Sequence, residues 1–261
     1  MKVCVLASGS SGNCIFAGSA TTRILIDVGL TMRETARRLE LIGETPAAIQ
    51  GICLTHEHGD HTAGLATLHT QFGIPLYANA GTIEACRQDH TLGTLKWQVF
   101  TTGAAFVIGN LTVTPFSVSH DAYDPVGFIV EADSIRVGIV TDIGVSTHLV
   151  QQRLRGCRVL LIEANHDERL LADARRPWHL KQRIAGRQGH LSNRHAAELL
   201  AAVANADLQK VFLCHLSRDC NRPELALKLA GAALRQQGCD HVQVSLTYAD
   251  KISAVWTDET N

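Results

Sequence analysis

The sequence predicts an α/β chain built as two mixed sheets between helix layers. Three observations carry this expectation. Apolar runs of strand length recur along the whole chain, bounded by Gly, Pro and Asn. Residues 95–139 alternate apolar and polar side chains between Gly and Asn turns, as antiparallel strands do. Beyond that stretch, strands alternate with segments of helical spacing. No composition break, long linker or solenoid-length repeat divides the chain, so residues 1–261 are expected to form a single domain. With 46% hydrophobic residues there is ample material for one continuous core.

The elements follow in order. Residues 2–6 read as a first strand that runs into Ala7-Ser8-Gly9-Ser10-Ser11-Gly12-Asn13-Cys14. This loop is a turn by composition, and its backbone N–H groups with Ser10 and Asn13 are also candidates for contacting an anion. Residues 23–29 form a strand carrying Asp27, either a helix cap or an outer partner of a metal-binding histidine. Residues 31–42 have helical spacing and stop at Gly43 before Pro46. Strand 51–54 leads to a helix over 62–68, and strand 74–78 with helix 82–88 makes a βα unit. Strands are expected at 106–108, 111–116, 126–130 and 137–140. Helices at 145–154, 193–204 and 223–236 then alternate with strands at 159–162, 211–213 and 242–245.

The densest chemistry is Leu54-Thr55-His56-Glu57-His58-Gly59-Asp60-His61. Imidazole nitrogens and carboxylate oxygens are ligands that zinc accepts. In an extended segment alternate side chains point the same way, so His56 and His58 can converge on one ion. Gly59 permits a sharp turn, after which Asp60 and His61 can aim at a second. Three further candidates lie at strand ends: His120 in Val118-Ser119-His120-Asp121, Asp142 in Val140-Thr141-Asp142-Ile143 and His215 in Leu213-Cys214-His215-Leu216. Glu163 follows the apolar run 159–162, and His190 stands just before the helix-cap candidates Ser192 and Asn193. Arg218, Asn221 and Arg222 stand in a polar segment near His215; they are candidate phosphate contacts, the alternative being solvent and a helix start at Pro223. The basic stretch 175–183, with Trp178, has two readings, a brace for nucleic acid and a solvated helix face, and the second is preferred. His69, His90, His148, His179 and His241 have no such context and are read as ordinary.

A formal net charge of −1 excludes a global basic field for nucleic acid, though not a local patch. The eight cysteines lack C-x-x-C spacing, which suits buried thiols in a reducing compartment rather than a disulfide framework. No signal peptide and no membrane-length apolar run is seen, so a cytoplasmic protein without a membrane partner is expected.

The segment T-H-E-H-G-D-H resembles the signature of the metallo-β-lactamase superfamily. That resemblance implies a four-layer αββα sandwich with two divalent ions: zinc, manganese or iron. By the same likeness His56, His58 and His120 would hold one ion, Asp60, His61 and His215 the other, and Asp142 would bridge them. Two divalent ions, two carboxylates and a shared hydroxide leave a formal charge of about +1, which suits a phosphodiester anion. The segments E-A-N-H-D and G-H-L-S-N resemble the nuclease and phosphodiesterase branches, where Glu163 and His190 would pair and protonate the leaving oxygen. Lactam or thioester hydrolysis needs no such acid. With L-A-S-G-S-S-G-N, L-I-D-V-G, S-H-D-A, T-D-I-G and H-L-S-R-D-C-N, the chain is similar to the YycJ/WalJ type, which implies 5′→3′ exonuclease activity on double-stranded DNA. The alternatives are a small or cyclic phosphodiester substrate, or a non-catalytic metal-binding partner of a two-component signalling system. Residues 142–215 leave no room for a large clamp domain, so a long grip on DNA would call for a homodimer or surface loops.

Overall fold

In a computed structural model, which describes residues 1–258, the strands gather into two seven-stranded sheets. The first half of the chain supplies β1 (Lys2–Ala7), β2 (Cys14–Gly18), β3 (Arg23–Ile26), α1 (Met32–Glu40), β4 (Gly51–Cys53), α2 (Gly59–Thr62), α3 (Leu65–Phe72), β5 (Leu76–Ala78), α4 (Ala80–Cys86) and β6 (Trp97–Val99). The second supplies β7 (Phe106–Ile108), β8 (Leu111–Ser117), β9 (Val126–Ala132), β10 (Ile135–Val140), α5 (His148–Leu154), β11 (Val159–Glu163), α6 (Glu168–Asp173), α7 (Trp178–Ala185), α8 (Asn193–Val203), β12 (Lys210–Cys214), α9 (Pro223–Gln236) and β13 (Gln243–Leu246). A last short strand, β14 (Trp256–Thr257), returns to pair with β1.

Each sheet begins antiparallel and ends parallel. β1, β2 and β3 are antiparallel neighbours, and β3 through β6 run parallel. Likewise β7 to β10 are antiparallel, and β10 through β13 parallel. The expected antiparallel run from residue 95 therefore starts too early. Trp97–Val99 joins the other sheet in parallel with β5, because the βα unit before it has already set the strand direction. Strand β2 was not anticipated: its five residues are all buried and carry no alternation to read.

Apolar side chains from both sheets, among them Val5, Ile26, Phe128 and Phe212, make one shared layer between them. The outer face of the first sheet packs on α1, α3 and α4, and that of the second on α5, α8 and α9. The order is helix, sheet, sheet, helix. Local signals explain the helix starts. Thr31 and Ser192 cap α1 and α8 by accepting backbone N–H bonds, and Pro223 opens α9, where its missing N–H costs nothing.

The parallel strands decide where chemistry collects. The C-terminal ends of β3 and β4 lie together, as do those of β10, β11 and β12. In such sheets ligands bind outside the carboxyl ends of the strands. Three residues just past those ends, Asp27, Asp142 and His215, have φ of 60, 53 and 56°. Left-handed backbone at a non-glycine residue costs roughly 1–3 kcal/mol and clusters where a side chain must be aimed. No helix among the described residues is long and apolar enough to cross a membrane.

Candidate metal centre

Past β4 the chain bends at Thr55, and a short loop carries His56 to His58 into α2. His56 Nε2 and His58 Nδ1 end 3.1 Å apart. The His120 ring, from the loop after β8, stands 5.0 and 5.2 Å from theirs, centroid to centroid. Ligand atoms of these three histidines all lie within 4.8 Å of one another. A second cluster adjoins the first. His61 Nε2 is 3.3 Å from Asp142 Oδ2 and 3.6 Å from Asp60 Oδ2. His215 Nε2 is 3.6 Å from Asp142 Oδ1 and 3.8 Å from Asp60 Oδ2. Asp142 thus stands between the two groups.

A close backbone approach fixes Asp60. A Cβ added at Gly29 would lie 1.6 Å from the Asp60 carbonyl oxygen, so only glycine fits there. Asn13 N–H donates to that same carbonyl, and Asn13 Nδ2 lies 3.1 Å from Asp60 Oδ2.

The second nitrogen of His56, His61, His120 and His215 meets a protein oxygen, which orients the ring. His56 Nδ1 is 2.9 Å from Thr55 Oγ1, and His120 Nδ1 is 3.2 Å from the Gly189 carbonyl. His61 Nδ1 is 2.8 Å from Asp27 Oδ2, while Asp27 also accepts from Thr55 N–H and Oγ1. His215 Nδ1 is 3.1 Å from Glu163 Oε1. Asp27 is therefore an orienter, not a helix cap.

These residues fit a divalent cation. Asp142 Oδ2 and His215 Nε2 are buried and have no hydrogen-bond partner among the described residues. An unsatisfied buried polar atom costs ~1–3 kcal/mol unless something meets it. Both atoms point into a set of nitrogens and carboxylate oxygens, the donors a borderline metal prefers.

Electrostatics follow from the crowding. Burial resists charge on His61, but Asp27 and Asp142 outweigh it and raise the imidazole to about 10. His215 is buried likewise, but Asp142, the nearby Asp60 carboxylate and the hydrogen bond to Glu163 lift it well above the ordinary value. His56 goes the other way: burial, then the neighbouring His61, hold it well below. Asp142 stays ionised although burial opposes it, because His215 and His61 face it. A cation held by the His61 and His215 imidazoles would have to displace their protons, and its affinity would then rise with pH.

Glu163 is fully buried at the end of β11. Its Oε2 accepts from Ile143 and Leu191 N–H at 2.9 and 3.2 Å. Its Oε1 serves two imidazoles, His190 Nδ1 at 2.8 Å and His215 Nδ1 at 3.1 Å. Burial lowers His190, but the Glu163 carboxylate outweighs it and raises its pKa. His190 lines the same 340 Å³ cavity as His58, Asp60, His120, Asp142 and His215.

The substrate candidates separate. Ser10 lines the cavity, and Arg218 lines a second cavity that also contains Ser10. Asn13 is buried and bonded to Asp60 and His61, so it steadies the cluster rather than facing an incoming molecule. Asn221 is a correction. It is buried, its amide donates to the Ala164 and Asn165 carbonyls, and its oxygen accepts from Asn193 and Arg222 N–H. An amide so occupied ties loops together and has nothing left for phosphate.

Sequence reasoning missed Asn165, which donates to the His215 carbonyl at 2.8 Å and lines the cavity. Its place in E-A-N-H-D was the available signal. It also missed that the basic stretch supplies Arg176, Leu180, Arg183 and Ile184 to the cavity wall.

Comparison with known proteins agrees with this geometry. The Beta-lactamase superfamily domain matches residues 22–216. The chain is 32% identical over 237 residues to Exodeoxyribonuclease YycJ of Bacillus anthracis, covering 90% of this chain and 89% of that one. It is 34% identical over 228 residues to Exodeoxyribonuclease WalJ of Streptococcus pneumoniae serotype 2, covering 86% and 85%. The crystal structure of the metallo-β-lactamase fold protein YhfI from Bacillus subtilis superposes with a TM-score of 0.72 over 98% of both chains at 18% identity, a likeness of fold. With two helix-flanked mixed sheets and an His/Asp cluster at their strand ends, the chain belongs to the metallo-β-lactamase superfamily.

Proposed function

We propose that the chain is a dinuclear metal-dependent phosphodiesterase, and more narrowly a 5′→3′ exonuclease on double-stranded DNA. Two relatives at 32 and 34% identity are named exodeoxyribonucleases. The observation that carries the chemistry is the single carboxylate oxygen of Glu163 shared by His190 and His215. It sets a proton donor beside the ligand cluster.

His56, His58 and His120 would hold one ion, and Asp60, His61 and His215 the other, with Asp142 between them. Zinc, manganese and iron all suit these donors. When bound, such a pair supplies an activated water and neutralises charge on the phosphate. The protein's own groups do the rest. Phosphodiester cleavage expels an alkoxide, a poor leaving group that needs a proton. His190 Nδ1 is held by Glu163, so Nε2 is the nitrogen that delivers the proton into the cavity. Glu163 stabilises the imidazolium beforehand and fixes the ring. The ring is part exposed, so solvent returns the proton after release. The whole chain acts as one unit, and its eight buried thiols suit a cytoplasmic setting.

The test uses 5′-labelled duplex DNA with manganese or zinc. Wild type should release mononucleotides, and Asp60→Ala should reduce both this and bis(p-nitrophenyl) phosphate hydrolysis by ~10³-fold or more, since an ion ligand is lost. Equal rates for variant and wild type would overturn the catalytic reading. Hydrolysis of the bis-ester without nucleotide release would instead favour a small phosphodiester, which the net charge of −1 also suits.

A further inference from the structure

Residues 174–197 contain no Asp or Glu but carry Arg175, Arg176, Lys181, Arg183, Arg187 and Arg194. Helix α7 lies in this stretch and has no buried residue, so it serves no core. Its one coherent face looks elsewhere. Leu180, Arg183 and Ile184 fall within about a third of the helix circumference. Together with Arg176 just before the helix, they line the metal cavity. An apolar step flanked by two guanidinium groups thus fronts the cluster proposed to hold the cations.

Both arginines are engaged by displaceable carboxylates. Arg176 pairs with Asp219 at 2.6 Å, and that aspartate is 69% exposed. Arg183 Nε donates to Asp121 Oδ2, while Asp121 Oδ1 lies 3.3 Å from His120 Nε2. The Asp121 carboxylate therefore spans from a ligand histidine to Arg183, the place an anionic oxygen of a bound strand would take. Each pair has one exposed partner, Asp219 or Arg183, and surface pairs contribute ~0–1 kcal/mol, so a phosphate can replace the carboxylate at little cost. Arg176, Ser10 and Ser217 also line the second cavity, where Arg218 stands with Asp219 and Asp250, so Arg176 joins the two cavities.

We propose that α7 with Arg176 is a strand-binding wall for nucleic acid. Arg183 and Arg176 take backbone phosphates neighbouring the one at the ligand cluster, and Leu180 and Ile184 cover the nucleoside between them. This inference rests on the nuclease reading. A small diester would need only the cluster and His190, which α7 helps to hold through the Ile184 carbonyl, and would not call on Arg176 or Arg183.

The experiment measures duplex DNA degradation by the manganese-loaded full chain carrying Arg176→Ala and Arg183→Ala, alone and together, across a salt series. Each change should raise KM by about tenfold or more, as lost charged hydrogen bonds do. The dependence of log KM on log salt should flatten by ~0.9 per arginine. The loss on bis(p-nitrophenyl) phosphate should be much smaller than on DNA. Arg→Lys at both positions should restore the salt slope but only part of KM. Unchanged KM and slope, with wild type active on DNA, would overturn the wall and leave the nuclease reading standing. Equal losses on DNA and on the bis-ester would also overturn it, since the arginines would then serve the cluster itself. Wild type that cleaves the bis-ester but not DNA would remove the nuclease reading, and this inference with it.

Discussion

The two sheets deliver the candidate site in opposite ways. The first supplies His56, His58, Asp60 and His61 from one unbroken stretch after β4. The second supplies His120, Asp142, Glu163 and His215 from four separate strand ends, and His190 from the loop before α8. The first group is contiguous in sequence, with Gly29, Asn13 and Asp27 fixing Asp60 and His61 from outside the stretch. The second exists only once β8 to β12 are in register.

The outer partners differ in the same spirit. Asp27 orients one imidazole, His61, and otherwise holds Thr55. Glu163 orients His215 and, through the same oxygen, governs His190. One carboxylate has a single duty and the other two. Substitutions should separate them. Glu163→Gln should have the larger effect, lowering kcat on alkyl phosphodiesters by ~10²–10⁴-fold, the range of general acid catalysis. The sign in pH is fixed by the raised pKa of His190. The acid works while protonated, so activity falls as pH rises through that value. Removing the carboxylate lowers the value and moves the alkaline limb to lower pH. A pH–rate profile with an unmoved limb would contradict the second duty. Asp27→Asn should cost less: ~10–100-fold in metal affinity, with kcat recovered at saturating metal. Metal titration followed by assay checks this. A kcat loss that excess metal does not repair would make the two carboxylates equivalent.

The same contrast explains what was legible in the sequence. The T-H-E-H-G-D-H stretch announces itself because its ligands are neighbours in the chain. A lone histidine or aspartate at a strand end does not, and Asp142 and His215 stood out through family likeness. The strand ends were placed well, and α9 (Pro223–Gln236) spans the residues its spacing suggests. Failures came where tertiary context decides. Fully buried β2 has no polar face to reveal a period. Asn221 and Asn13 look like substrate contacts in a list of polar loop residues, yet packing spends them on backbone and ligand groups. The basic stretch looked like a solvated face, and only folding shows that one side of α7 fronts the cavity.

Each proposed ion draws on both sheets: His56 and His58 against His120, Asp60 and His61 against His215. A cation there is a rivet through the seam of the sandwich, not an ornament on its rim. Stripping it with a chelator should lower the melting temperature, because a ligand held only by the native form adds ~2.7 kcal/mol when present at a hundred times its Kd. Scanning calorimetry with and without chelator reads this directly. The seam would then open first at its metal-bearing end, so how tightly the chain holds its cations would also set how long it survives heat.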